Sequence, residues 1–210
     1  IPLHVLRLEK YFGFSNQIIT DFFNPFFSGI FLESKLETSS RMFEFIYKMF
    51  GEGSVAIPKA GIEAIPMQLA GNLNNTSFKF NTKVRSIIDG EITLNDHTKL
   101  KSHFTIIAAD ASNLIPDLKN NLIKWNSCYT LYFETESRVI RKQLIGLITK
   151  SGSLINNIFY HTSLKTNSSE NKELLSVTVI DNQNLPDEAL IERVKIESIP
   201  QWSFKTFKAT

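Results

Sequence analysis

The chain has 210 residues, 42% of them apolar, and its 23 basic and 21 acidic side chains leave a net charge of +2. This length allows one large domain or two small ones, and the apolar fraction argues against disorder. The balanced charge gives no electrostatic reason to expect nucleic-acid binding. No apolar run reaches the roughly 18 residues of a membrane span. A lone cysteine, Cys128, which we expect to be a buried thiol, favours a reducing compartment, the cytoplasm.

Residues 1–53 predict a succession of helices. Residues 2–12 are amphipathic and stop at Gly13. Ser15 is a suitable N-cap for the next helix. We expect that helix to end at Pro25, because the residue before a proline is displaced from the α region. The following "SGIFLES" predicts a loop around Gly29.

The clearest helical pattern lies in "ETSSRMFEFIYKMFGEG", with a cap at Thr38, Ser39 or Ser40. Its apolar residues recur at i, i+3, i+4, i+7 and i+8. These residues are Met42, Phe45, Ile46, Met49 and Phe50. Ten of the 17 phenylalanines lie in the first 50 residues. Core packing is the default explanation for them, and the lining of a site for an apolar ligand is the alternative.

The stretch 54–110 predicts one helix followed by strands. Residues 61–73 form a small-residue helix with Pro66 near its first turn, where a missing N–H costs little. From Ser77 the period changes to two and predicts a strand that continues to residue 88. The Asp89-Gly90 pair predicts a hairpin. The apolar run in "HFTIIAAD" predicts a strand over 104–109 that is buried on both faces.

The last hundred residues predict an antiparallel sheet and one helix. Strand-like segments alternate with polar turns between residues 127 and 180, and residues 186–199 have the apolar spacing of a helix. Helices followed by strands, a sheet and a helix indicate an α+β fold.

Most catalytic and binding motifs are absent from the sequence. The stretch "GEGSVA" at 51–56 has the glycine spacing of a dinucleotide fingerprint, but it follows a predicted helix and not a strand. The four histidines, scattered along the chain, have no metal-ligand spacing, so we expect no metal site. No nucleophile elbow occurs, and no residue is identified as catalytic.

Several stretches together resemble the FAD-dependent oxidoreductases of the amine oxidase and phytoene desaturase type. They are "FFNPFFSGIFLESKLETSSRMFEFIYKMFGEG", "IPKAGIEAIPMQLAGNL", "FNTKVRSI", "FTIIAADAS" and "NSCYTLYF". Each motif is weak alone, but their order and spacing are those of the family. The resemblance implies FAD as the cofactor and hydride transfer from a largely apolar organic substrate to it.

The resemblance also implies a division of the chain. Residues 1–53 and 111–210 would belong to a substrate domain of helices and an antiparallel sheet, and residues 54–110 to an incomplete FAD-binding sheet. Val84 matches the position whose backbone meets the adenine of FAD. Ala108, Ala109 and Asp110 match the strand end and loop that approach the cofactor.

The family's N-terminal dinucleotide-binding motif and C-terminal FAD segment are missing from this sequence. We therefore expect the central part of such an enzyme, inactive by itself. The alternative is a non-catalytic module that binds an apolar ligand or a partner protein. The sequence leaves a peripheral membrane contact and the oligomeric state open.

Overall fold

The computed structural model describes residues 12–115, 125–150, 152–164 and 172–197, together with the backbone of residues 204–206. The chain divides into two compact units, which we call unit 1 (residues 1–59 and 126–210) and unit 2 (residues 60–125). The match between these units and the predicted domains 1–53, 54–110 and 111–210 stays a prediction. The helix predicted at 2–12, except Phe12, lies outside the described residues.

Unit 1 begins with a run of helical segments. These are α1 (Asn16–Ile18), a π-helix (Ile19–Phe23), α2 (Asn24–Phe31) and α3 (Ser40–Glu52). Ser15 caps α1, as predicted, and its side chain accepts a hydrogen bond from the Ile18 N–H. The predicted stop at Pro25 is wrong, because Pro25 falls in the first turn of α2. A proline there loses no helical hydrogen bond.

The loop predicted around Gly29 is also wrong, because α2 continues through this residue. A Cβ atom on Gly29 would lie 2.7 Å from Oδ1 of Asn156. The Nδ2 of Asn156 donates to the Pro25 carbonyl at 3.0 Å. Gly29 therefore permits a close approach of α2 to the sheet and does not break the helix.

The helix predicted in "ETSSRMFEFIYKMFGEG" is confirmed as α3, with Ser39 as its N-cap. Its buried face differs from the predicted one. Phe43 is buried, whereas Phe45 and Met49 are exposed. Phe43 packs with Phe27 of α2, with their ring centroids 4.7 Å apart. The buried face of α3 is therefore the one that contacts α2.

The predicted antiparallel sheet is confirmed, in the strand order β5-β6-β7-β4-β8. Its strands are β4 (Tyr129–Thr135), β5 (Gly146–Leu147), β6 (Ile155–Tyr160), β7 (Glu173–Val179) and β8 (Phe204–Thr206). The helix α5 (Asp187–Glu197) packs Leu190 and Val194 against one face, and we call this the inner face. Alternate strand residues, such as Phe133, Leu175 and Val177, complete that core.

A second core cluster lies among the helices of unit 1. It consists of Ile19, Phe23, Phe27, Leu36 and Phe43, all nearly inaccessible to solvent. The prediction that many of the phenylalanines are core residues therefore holds for these three rings.

Unit 2 contains α4 (Ala64–Gly71) and a sheet of β1 (Val84–Ile88), β2 (Glu91–Leu94) and β3 (Lys99–Lys101). The hairpin predicted at Asp89-Gly90 is confirmed, since Ile88 pairs with Glu91 and Gly90 has a φ of 74°. A short 3-10 helix (Ala111–Asn113) follows. The helices and two antiparallel sheets make the fold α+β, as predicted.

Of the other strand predictions in unit 2, the one from Ser77 to residue 88 is confirmed only from Val84 onward, as β1, and the one over 104–109 is wrong. Residues 77–83 form no strand, although Phe78 and Phe80 stack with ring centroids 5.9 Å apart. Residues 104–109 form neither helix nor strand, and the side chains of Phe104 and Ile106 are each 93% exposed. An apolar strand needs partner strands on its edges and cover on its faces, and no described residue supplies these to the segment.

Cys128 is exposed, which corrects the prediction of a buried thiol. It lies just before β4, outside the sheet's core. Within the described ranges, no helix is both long enough and apolar enough to cross a membrane.

Candidate functional site

The site predicted from the sequence lies in unit 2, beginning with Val84. This half-buried residue is the first of β1 and faces Leu94 across the hairpin. The register shifts between Val84 and Ser86, so a bulge interrupts the ladder at this point. Bulges redirect side chains and occur beside active sites. Nη1 of Arg85, in the bulge, lies 3.1 Å from Nδ1 of His97.

The other three predicted residues lie after the exposed segment 104–109. Ala108 and Ala109 are exposed. Asp110 caps the short helix, with its carboxylate accepting from the Ser112 N–H at 2.9 Å and the Ser112 hydroxyl at 2.7 Å. These two hydrogen bonds hold the pKa of Asp110 below its usual value. Asp110 therefore shapes the turn in which it lies.

One backbone hydrogen bond joins this turn to β1. The Ile87 N–H donates to the Leu114 carbonyl at 2.8 Å. The residues after Asp110 thus run beside the strand that begins at Val84. The cofactor role of Val84, Ala108, Ala109 and Asp110 stays a prediction.

A cavity of about 500 Å³ lies in unit 2 between β1, the hairpin turn and the segment after β3. Residues 87–90, 102–105, 107 and 115 line it. None of the four predicted residues is among them. This cavity could not be predicted from the sequence, because its lining residues come from separate segments between residues 87 and 115 and share no motif.

Unit 2 also exposes a large apolar surface. On α4 and around it Ile62, Ile65, Met67 and Leu69 are exposed, and Phe80, Phe104 and Ile106 are exposed on the segments beside the sheet. Single exposed apolar side chains are normal on a protein surface, whereas a concentration of large ones is typical of surfaces that bind something. We call these seven side chains the unit 2 apolar surface.

An aromatic cavity of about 400 Å³ lies among the helices of unit 1. Its lining consists of Phe22, Phe26, Phe27, Tyr47, Phe50 and Gly51. The rings of Phe22 and Phe26 stack at 5.0 Å, and Phe50 meets Phe26 edge-on at 5.3 Å. Some of the phenylalanines near the N-terminus therefore form the core and others line this cavity, and its role as a site for an apolar ligand stays a prediction.

The stretch with the glycine spacing of a dinucleotide fingerprint does not have the local structure of a dinucleotide site. In "GEGSVA", Gly51 lies in the last turn of α3, which ends at Glu52, Gly53 is extended, and residues 54–58 form no helix. A pyrophosphate is held by a glycine turn between a strand and a helix N-terminus, and this stretch lacks both. Residues 51–58 therefore do not fit a pyrophosphate.

Across the part of the chain that the structure describes, no three His, Cys, Asp or Glu side chains lie close enough to hold a metal ion.

Comparison with known families identifies the class of the protein. A family model described as flavin containing amine oxidoreductase matches residues 4–197. The chain therefore belongs to this family of flavin-dependent oxidoreductases, as the resemblance predicted, and FAD is the family's cofactor. A search among curated proteins found no match.

Proposed function

We propose that this chain is the central part of an enzyme that removes hydride from a largely apolar organic substrate and passes it to FAD. Family membership supports the oxidoreductase class. FAD, when bound, supplies the hydride acceptor. The residues of this chain bind and orient the substrate and exclude water from it.

The aromatic cavity of unit 1 is the observation that supports an apolar substrate. Its lining is five aromatic rings and one glycine, with no charged side chain. A cavity of this size and chemistry binds a small molecule mainly by removing apolar surface from water. Substrates of the amine oxidase and phytoene desaturase type, with an extended apolar body, fit this description.

We further propose that the chain by itself is inactive and retains no FAD. The unit 2 apolar surface supports this, because a flavin-binding domain would need those side chains covered. The candidate contacts at Val84, Ala108, Ala109 and Asp110 are then edge contacts to a cofactor held mainly by other residues. Cytoplasmic location also stays a proposal.

Anaerobic reduction of the flavin tests the substrate class. The longest native polypeptide that contains this chain is mixed with apolar and with highly polar substrates, and the loss of flavin absorbance is followed. We expect only apolar substrates to bleach the flavin. Phe26→Ala should raise the KM roughly tenfold by removing apolar contact area, and Phe45→Ala, on the exposed side of α3, should not. Equal bleaching by polar substrates, or equal KM values in the two variants, would contradict the proposal.

A further inference from the structure

The side of α3 that faces away from the aromatic core carries a stripe of large apolar side chains. Met42, Phe45 and Met49 lie at i, i+3 and i+7, a spacing that puts side chains on one side of a helix. These residues are 46%, 60% and 55% exposed, whereas Phe43 is buried in the core. We call Met42, Phe45 and Met49 the α3 stripe.

The α3 stripe has a basic residue at one end and an acidic residue at the other. Arg41 is the second residue of α3 and Glu52 is the last, and both are exposed. They are about three helical turns apart, so both lie on the side of the helix that carries Phe45. The exposed side of α3 therefore runs from positive charge through apolar surface to negative charge.

Both end charges have the sign that a helix dipole disfavours. The first turn of α3 contains no acidic residue and its last turn no basic residue, although these are the charges that stabilise the ends of a helix. Glu52 pairs with Lys48 at 3.6 Å, but both side chains are more than half exposed, and such pairs contribute little. Among the described residues Arg41 has no ion-pair partner. A charge pattern that opposes local stability favours a role in binding.

We propose that the α3 stripe binds the same stripe of a second copy of this chain, with the two helices antiparallel about a two-fold axis beside residue 46. Met42 of each copy then lies opposite Met49 of the other, and the two Phe45 rings meet close to the axis. Arg41 of each copy pairs with Glu52 of the other, so the interface contains two equivalent ion pairs. The proposal depends on α3 alone and not on the proposed function.

The charges of α3 favour a second copy over other occupants. In antiparallel pairing each basic end meets an acidic end, whereas parallel pairing would put Arg41 beside Arg41 and Glu52 beside Glu52. An anionic membrane surface would attract Arg41 but repel Glu52 and Glu44, which is also exposed. The stripe is therefore complementary to itself, both in charge and in apolar surface.

The proposed interface is small, because one helix contributes most of it. Interfaces at the low end of the size range form weak, transient complexes. We therefore expect a dissociation constant of roughly 10–100 µM. At concentrations well below this value the chain is monomeric, so the α3 stripe does not contribute to free energies of unfolding measured there.

Sedimentation velocity of the 210-residue chain, measured from about 1 µM to about 500 µM, tests the association. We expect the chain to pass from monomer to dimer over this range. Phe45→Lys should abolish the dimer by placing two amines close to the axis. Ile106→Lys, the matched change at an exposed residue of unit 2, should leave it unchanged. A chain that stays monomeric, or a dimer that persists in Phe45→Lys or is equally weakened by Ile106→Lys, would overturn the proposal.

Charge reversal tests the antiparallel pairing. Arg41→Glu puts an acidic side chain beside Glu52 in both ion pairs, and Glu52→Arg puts a basic one beside Arg41. We expect each variant alone to dimerise roughly tenfold more weakly. An equimolar mixture of the two variants restores two opposite-charge pairs, so it should form a heterodimer with the affinity of the unmutated chain. Arg141→Glu, the same change at an exposed arginine outside α3, should have no effect.

Neither reversal should unfold the chain, because each gives α3 the terminal charge that its dipole favours. Circular dichroism of each variant measures this. If the single variants dimerise as well as the unmutated chain, or if the mixture associates no better than either variant, the antiparallel pairing is wrong. If a reversal variant does not fold, the comparison of Phe45→Lys with Ile106→Lys still decides whether α3 forms the interface.

Discussion

Glu197, the last residue of α5, accepts a hydrogen bond from the Leu154 N–H at 2.8 Å. The same carboxylate accepts from the Ser153 hydroxyl at 3.0 Å and pairs with Nε of Arg193 at 3.1 Å. Its side chain is only 13% exposed. One carboxylate therefore joins the end of the helix to the connection between β5 and β6.

Replacing the Glu197 carboxylate should lower the stability of unit 1. Glu197→Gln removes the charge and leaves donors at Leu154 and Ser153 poorly satisfied, so we expect a loss of about 1–2 kcal/mol in the free energy of unfolding. Glu192→Gln is the matched control, because Glu192 is 66% exposed and forms a surface ion pair with Lys195. Urea unfolding measures both, and an equal effect of the two substitutions would contradict the assignment.

The same carboxylate predicts an acid-dependent loss of stability. Burial by itself would raise the pKa of Glu197, but the hydrogen bonds from Leu154, Arg193 and Ser153 outweigh it and the pKa is lowered from 4.5. The folded state therefore binds the proton more weakly than the unfolded chain does. The stabilisation is complete above the unfolded pKa and is lost as the pH falls through the folded pKa.

Unfolding free energies measured between roughly pH 6 and pH 3 test this linkage. We expect the unmutated chain to lose more stability over this range than Glu197→Gln, whose side chain does not titrate. Parallel curves for the two proteins would show that Glu197 contributes nothing to the acid dependence.

Gly29 and Gly51 form a matched pair of helical glycines. In Gly29→Ala the new Cβ would lie 2.7 Å from Oδ1 of Asn156. That oxygen is held by the Asn157 amide at 2.8 Å, so we expect a loss of about 1–3 kcal/mol. Gly51 has no atom within 4 Å of its added Cβ, and Gly51→Ala should gain up to about 1 kcal/mol from helix propensity. Thermal unfolding that shifts in the same direction for both would refute the close approach at Gly29.

Substitutions of a buried and an exposed phenylalanine should differ in their effect on the free energy of unfolding. Phe27 is 1% exposed, whereas Phe45 is 60% exposed. Phe27→Ala should cost about 3–5 kcal/mol, through lost burial and the cavity it leaves. Phe45→Ala should change the unfolding free energy by no more than about 1 kcal/mol. Denaturant titration compares them, and similar losses would mean that α3 packs on its other face.

The effect of a substitution in the exposed segment 104–109 should differ between this chain and the longer native polypeptide. Because Ile106 is 93% exposed, Ile106→Lys should alter the stability of this chain by no more than about 0.5 kcal/mol. In the longest native polypeptide the same substitution should prevent flavin retention, because we propose that the segment is covered there. A variant that still retains flavin would show that residue 106 remains exposed in the enzyme.

Local signals in the sequence predicted much of the fold. Ser15 as a cap and Asp89-Gly90 as a hairpin turn were identified correctly, and Ser39 was one of the three residues named as candidates for the cap of α3. Each depends on interactions within a few residues, and such interactions are encoded in the sequence itself. The π-helix and the continuation of α2 past Pro25 were missed. Gly29, in the middle of α2, lies close to Asn156, and a contact between residues 127 positions apart leaves no local pattern in the sequence.

The strand predicted at 104–109 failed for a related reason. Its apolar run has the composition of a buried strand, but strand formation needs partner strands, and no described residue pairs with it. The four predicted cofactor residues came from the family resemblance and not from local chemistry. Their backbone contacts leave little trace in side-chain identity, so the sequence alone could not test them.

The visible absorption spectrum of the longest native polypeptide that contains this chain tests the central claim most directly. After purification and incubation with FAD, followed by removal of the free cofactor, we predict flavin bands in that polypeptide and none in the 210-residue chain treated in the same way. A native polypeptide that never retains flavin would contradict the assignment of this chain to a flavin-dependent enzyme.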